Sequence, residues 1–76
     1  MIVTGSVEWI QGDKGAEGYH LVTPTNVPKD DADDLIVSDR DLIQAVAVFK
    51  EGAIAKYGPG TEIFLSMIVR HAEGKP

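Results

Sequence analysis

Residues Gly5 to Pro24 read GSVEWIQGDKGAEGYHLVTP, and the fold turns on how this stretch is understood. Val7 and Trp9 alternate with Ser6 and Glu8. After a loop holding three glycines, Tyr19, Leu21 and Thr23 alternate with His20 and Val22. Period-two alternation on either side of a glycine-rich connection predicts two strands joined as a hairpin. The first extends over Ile2–Gln11 and the second over Tyr19–Thr23, where Pro24 stops it. Gly5 inside the first strand suits a sharp coil in the backbone. Alternation also puts Trp9 on the same side as Val7. The turn GDKGAEG around Lys14 lacks the phosphate-loop pattern and no helix follows it, so a plain hairpin tip is the favoured reading.

Moving outward, Thr25 to Asp34 (TNVPKDDADD) combines a proline with a run of aspartates and is expected to be an exposed loop. Asp31 and Asp33 begin a calcium-loop spacing, but Leu35 and Ile36 interrupt it. Leu35–Val37 is apolar enough for a third strand. Ser38 is a candidate helix cap, with Asp39 and Asp41 near the positive end of the helix dipole. Leu42, Val46 and Phe49, widened by Ile43 and Ala47, form an apolar stripe. Gly52 then fits a helix end, giving a helix over Asp39–Lys50 and a short fourth strand over Ala53–Tyr57. A second reading carries the helix on to Tyr57, with Gly58-Pro59 as the stop, at a cost of about 1 kcal/mol for a glycine inside it. Thr61–His71 alternates Ile63, Leu65, Met67 and Val69 against Glu62, Ser66 and Arg70, which predicts the last strand. Phe64 and Ile68 interrupt its polar side and, with Ile10, make a second apolar surface that needs a cover. Ala72–Pro76 reads as a flexible tail.

Seventy-six residues make one domain, residues 1–76, with a net stability on the order of 3–5 kcal/mol. The chain has no cysteine, so neither a disulfide nor a thiolate zinc site supports the core. No apolar run is long enough to span a bilayer and no signal sequence is evident, so a soluble cytoplasmic protein without membrane contact is expected. The net charge is -5, and six of the twelve acidic residues lie between Asp30 and Asp41. Such a charge argues against a broad phosphate-binding surface but leaves room for a local one.

Several residues together resemble the cold-shock domain family. Gly5, Val7, Trp9, Lys14, Gly15, Thr23, Pro24, Asp34, Leu35 and Val37 fall where that family has the same residues, and Tyr57-x-x-Gly60-x-x-Ile63 is similar to its turn into the last strand. The resemblance implies an all-β, five-stranded oligonucleotide-binding barrel with one short helix between strands 3 and 4. It also implies sequence-tolerant binding of single-stranded RNA or DNA by stacking and phosphate contact. Trp9, Lys14, Tyr19 and His20 are the residues that would carry it, with Trp9 on the surface. A bulge near Ile10 would reconcile that placement with alternation. The first aromatic motif of the family survives here only as Lys14-Gly15 and Tyr19, with Leu21 and His20 replacing an aromatic and a glycine. The second, over Ile36–Asp39, has lost both aromatics, and each lost platform removes on the order of 1–3 kcal/mol per base.

The second expectation is a non-enzymatic, acidic protein-binding module or inhibitor. Asp30, Asp31, Asp33 and Asp34 would imitate a phosphate backbone against the basic surface of a nucleic-acid-handling partner, and Leu21 and Ile36 would supply an aliphatic contact. Self-association through the apolar surface would produce a homodimer. His20 and His71 stand alone and the serines lack an activating base, so no enzyme, metal site or cofactor is expected.

Overall fold

The computed structural model describes residues 1–14 and 16–68. Its element order is β1 (Ile2–Ile10), β2 (Tyr19–Pro24), α1 (Lys29–Leu35), β3 (Val37–Asp39), α2 (Leu42–Tyr57) and β4 (Glu62–Ile68). The strands form one sheet in the order β3-β2-β1-β4. β2 pairs antiparallel with both β1 and β3, whereas β1 and β4 run parallel. The expected five-stranded barrel is therefore replaced by an open, mixed four-stranded sheet with two helices, an α/β arrangement.

The reason lies in the span from Leu42 to Tyr57. β3 and β4 occupy opposite edges of the sheet and both run parallel to β1, so the connection between them must cross the sheet and also return along the strand direction. A helix of 16 residues, about 24 Å long, does this in one element. The longer of the two helix readings is thus the one adopted, and Ala53–Tyr57 is its last turn rather than a strand. Gly52 is carried inside the helix, which ends instead at Gly58, at φ 104°.

The helix start also differs from expectation. Ser38 lies in β3, and Asp41 caps α2, accepting from the Ile43 and Gln44 amides at 2.8 and 3.2 Å. Asp39 in turn accepts from the Asp41 amide at 2.8 Å, bridging strand end and helix start.

Among the described residues, elements cover only one side of the sheet. Val3, Val7 and Val22 point to that side and pack with Leu35 of α1 and Ala45, Phe49 and Ala53 of α2, all buried. The α2 contact stripe is thus rotated from the one expected. Ile43 is 80 % exposed, and two alanines flank Phe49 on the inner face. Small residues let the helix backbone come close to the sheet, and Gly5 admits the phenyl ring between them. A Cβ there would meet the Thr23 carbonyl oxygen at 2.8 Å, Leu65 Cδ2 at 3.0 Å and Phe49 Cζ at 3.4 Å. Gly5 therefore serves a close approach within a central strand, not the coil of a barrel.

The aspartate run, expected to be a solvated loop, is the helix α1. Its first turn has no side-chain cap, and aspartate is a poor helix former. Tertiary contacts stabilise it instead. Leu35 plugs into the core, Tyr57 Oη donates to Asp31 at 2.6 Å, and Lys56 Nζ donates to Asp34 at 3.1 Å. Consequently Leu35 and Ile36 precede the third strand, which begins at Val37. β4 is described as far as Ile68; the expected remainder of the last strand and the tail over Ala72–Pro76 lie outside the described residues. Among the described residues no helix is long and apolar enough to cross a membrane.

Candidate functional site

The register of the first hairpin determines which aromatic residues share a surface. Trp9 is opposite His20, and Ile10 is opposite Tyr19, with pairing continuous from Gly5–Pro24 to that point. Directly opposed residues of an antiparallel pair share a face. Trp9 and His20 therefore lie on the helix side with Val7 and Val22, and Tyr19 lies on the other side with Ile10 and Leu21. The indole is nevertheless 44 % exposed, because it lies at the far end of its strand. Strand alternation and surface placement of Trp9 are both satisfied without a bulge.

Around Trp9 the arrangement is local and well connected. The indole and the His20 ring meet edge to face, with centroids 4.8 Å apart. Gly18 is buried beneath them, where a Cβ would lie 2.4 Å from Trp9 Cζ2. His20 Nδ1 is 2.9 Å from the Arg40 carbonyl oxygen, the Trp9 indole N–H donates to Gln11 at 3.3 Å, and Arg40 forms an ion pair with Glu17. Lys14, at φ 48°, is exposed in the hairpin connection. Of the four residues expected to bind nucleic acid, Trp9 and His20 are brought together and Tyr19 is separated from them by the thickness of the sheet.

The four aspartates divide as well. Asp31 and Asp34 face α2, where Lys56 approaches both, at 3.8 and 3.1 Å. The Lys56 ammonium is held above its ordinary pKa, first by the hydrogen bond to Asp34 and then by the charges of Asp34 and Asp31. The Tyr57 phenol is pushed up to about 12, chiefly because it donates to Asp31, with desolvation acting in the same direction. Asp30 and Asp33 are at the surface, and Asp33 makes a long, exposed contact of 3.9 Å with Lys29, worth little. Half of the expected phosphate-like array thus serves to fasten α1 to α2.

The remaining surface is the uncovered side of the sheet. Register and alternation place Thr4, Ser6, Glu8 and Ile10 there from β1, Tyr19, Leu21 and Thr23 from β2, and Phe64, Ser66 and Ile68 from β4. Thr4 and Thr25 hydroxyls share a hydrogen bond at 2.8 Å, and Ser6 lies between Thr23 and Ser66, giving a polar centre. One end is aliphatic and aromatic, with Ile68, Leu21, Ile10 and Tyr19 ranged around Glu8. Leu21, selected from the sequence, belongs to this patch. Ile36 is exposed beyond the end of α1. Ile68 and Phe64 were recognisable in the sequence as interruptions of a polar strand side, but their grouping with Leu21 and Tyr19 needs the strand order.

Among the described residues no three His, Asp or Glu side chains converge to hold a metal ion. The fold defines a two-layer α/β module with one sheet face that no described element covers. Compared with family models, curated proteins and solved structures, the chain matches none.

Proposed function

We propose that this chain is a non-enzymatic protein-binding module whose contact surface is the uncovered sheet face. The observation that carries this reading is the apolar end of that face, Ile10, Tyr19, Leu21 and Ile68, which no described element covers. Contiguous apolar surface on a small domain is the usual mark of a contact with another macromolecule. The net charge of -5 favours a partner that offers apolar side chains within a basic rim, because opposite charges speed encounter and orient the docking. Asp30 and Asp33 add to that field from α1.

The nucleic-acid reading asks Trp9, Lys14 and Tyr19 to act as one stacking and phosphate surface. With Trp9 and Tyr19 on opposite faces, a single strand would meet one aromatic platform and not two. That geometry favours the protein partner.

A photo-reactive amino acid placed at position 21, compared with the same group at the exposed helix position 43, tests the proposal in the cell that expresses the chain. A defined cross-linked protein at position 21 and none at 43 supports it. Equal products at both positions, or quenching of Trp9 by oligo-dT that weakens with salt and is lost in Tyr19→Ala, would overturn it.

A further inference from the structure

Among the described residues β4 is an edge strand of seven residues, paired with β1 on one side. Soluble proteins protect such edges with charges, proline, bulges or a covering element. From Ile63 to Ile68 there is no charge and no proline, and no described element lies along the free edge. The helix side of the strand is apolar, with Ile63, Leu65 and Met67, and the other side carries Phe64 and Ile68 beside Ser66 and the leading Glu62. Met67 and Phe64 are 56 % and 57 % exposed. Helix α2 packs mainly over β2 and β3, so the helix side of β4 borders an open groove of about 570 Å³, lined by Val46, Lys50, Ile63 and Leu65 among others.

We infer that the occupant of this edge is a second copy of the chain, joined β4 to β4 in antiparallel fashion to make one continuous eight-stranded sheet. An isologous contact must be self-complementary, and this strand is. A two-fold axis through a residue keeps inner faces with inner faces, whereas an axis between residues would put every side chain on the wrong side. With the axis at Leu65, all seven residues pair: Ile63 opposite Met67, Phe64 opposite Ser66, and Glu62 opposite Ile68. Met67 of the second copy then enters the groove beside Ile63 and Val46, and the reciprocal insertion follows by symmetry. On the other face each Phe64 lies over a small Ser66. Charge permits the approach: Lys50 and Glu62, which line the groove, are of opposite sign, Asp39 lies at the far edge in β3, Asp41 caps α2, and α1 packs on β2 and α2. Phe64, Met67 and Ile68 alone expose on the order of 300 Å² per chain. With the strand edge and groove included, the pair would bury on the order of 1,000 Å² in total, the size at which a specific interface becomes feasible.

The inference rests on the β4 edge and its groove, whereas the proposed partner contact centres on Leu21, Tyr19 and Ile10; the two share only Ile68, and Met67 and Leu21 substitutions tell them apart. Sedimentation equilibrium of the intact chain from about 10 μM to 1 mM tests it. The wild type is expected to pass from monomer to dimer across that range, Met67→Lys to weaken the dimer at least tenfold with an unchanged circular dichroism spectrum, and Ile43→Lys to leave it unaffected. Because the chain has no cysteine, mixing Phe64→Cys with Ser66→Cys should yield a disulfide-linked heterodimer in preference to either homodimer. A wild type monomeric at 1 mM overturns the inference, as does a dimer that survives Met67→Lys but is lost in Ile10→Lys.

Discussion

Replacing Gly5 by alanine and, separately, Gly52 by alanine applies the same chemical change at two buried or half-buried positions, and the structure assigns them opposite signs. At Gly5 the added methyl would lie 2.8 Å from a backbone oxygen of the paired strand, which cannot turn aside as a side chain can. The strands must part or Phe49 must withdraw, and overpacking of this kind costs about 1–3 kcal/mol. Reduced freedom of the unfolded chain offsets only about 0.4–1 kcal/mol. At Gly52 the nearest atom outside the helix is Leu35 Cδ2 at 3.5 Å, an ordinary contact, so the helix gains about 1 kcal/mol with no steric loss. In a domain of this size each kcal/mol moves the melting temperature by about 4–8 °C. Thermal unfolding followed by Trp9 fluorescence and circular dichroism should therefore show Gly5→Ala lower by about 5–15 °C and Gly52→Ala higher by several degrees. If Gly5→Ala were as stable as wild type, the close packing of Phe49 over β1 would be wrong. If Gly52→Ala were destabilised, the uninterrupted helix would be.

Two further predictions concern the helices. In a Tyr19→Phe background, absorbance titration near 295 nm should show Tyr57 ionising about 2 units above an ordinary tyrosine, and Asp31→Asn should bring it back toward 10. Since the folded-state value is raised, the contact contributes fully below pH 10 and its contribution is lost as pH rises from there through about 12. An Asp31→Asn titration identical to that of the parent would refute the Tyr57–Asp31 contact between the two helices. Asp41→Ala should cost about 1 kcal/mol in urea denaturation, by loss of the cap on two helix amides, whereas Ser38→Ala should stay within about 0.5 kcal/mol. Equal losses in both variants would place the helix start elsewhere.

The first hairpin and β4 were legible because alternation is a local signal and each strand has a buried and an open side. Even the side occupied by Trp9 followed from counting by twos. α1 was hidden because nothing local stabilises it: its partners Lys56 and Tyr57 lie more than twenty residues away, and its composition is that of a loop. The α2 stripe was ambiguous because apolar residues occur almost all round its first two turns, so only the sheet decides that Ala45, Phe49 and Ala53 face inward while Ile43 does not. Asp41 with Gln44 three residues later does resemble a capping box, and that signal would have placed the helix start correctly. The resemblance to the cold-shock family rested on short, scattered identities. These give hairpin chemistry, but they carry no information about strand order, and strand order is what separates a closed barrel from an open layer.

The pairing of β1 with β4 has a consequence for the timing of folding. Ile2 is the partner of Glu62, and the Glu62 amide donates to the Met1 carbonyl oxygen at 2.8 Å. Of the four strands, the first in chain order is thus an interior strand of the sheet, and it waits for the fourth before its second edge is filled. Until then β1, β2 and β3 form a three-stranded meander backed by the two helices, and the β4 side of β1 stays open. Contacts so distant along the chain form slowly, so completion of the sheet is tied to the arrival of β4, and the waiting strand is the segment that a chaperone would have most reason to hold.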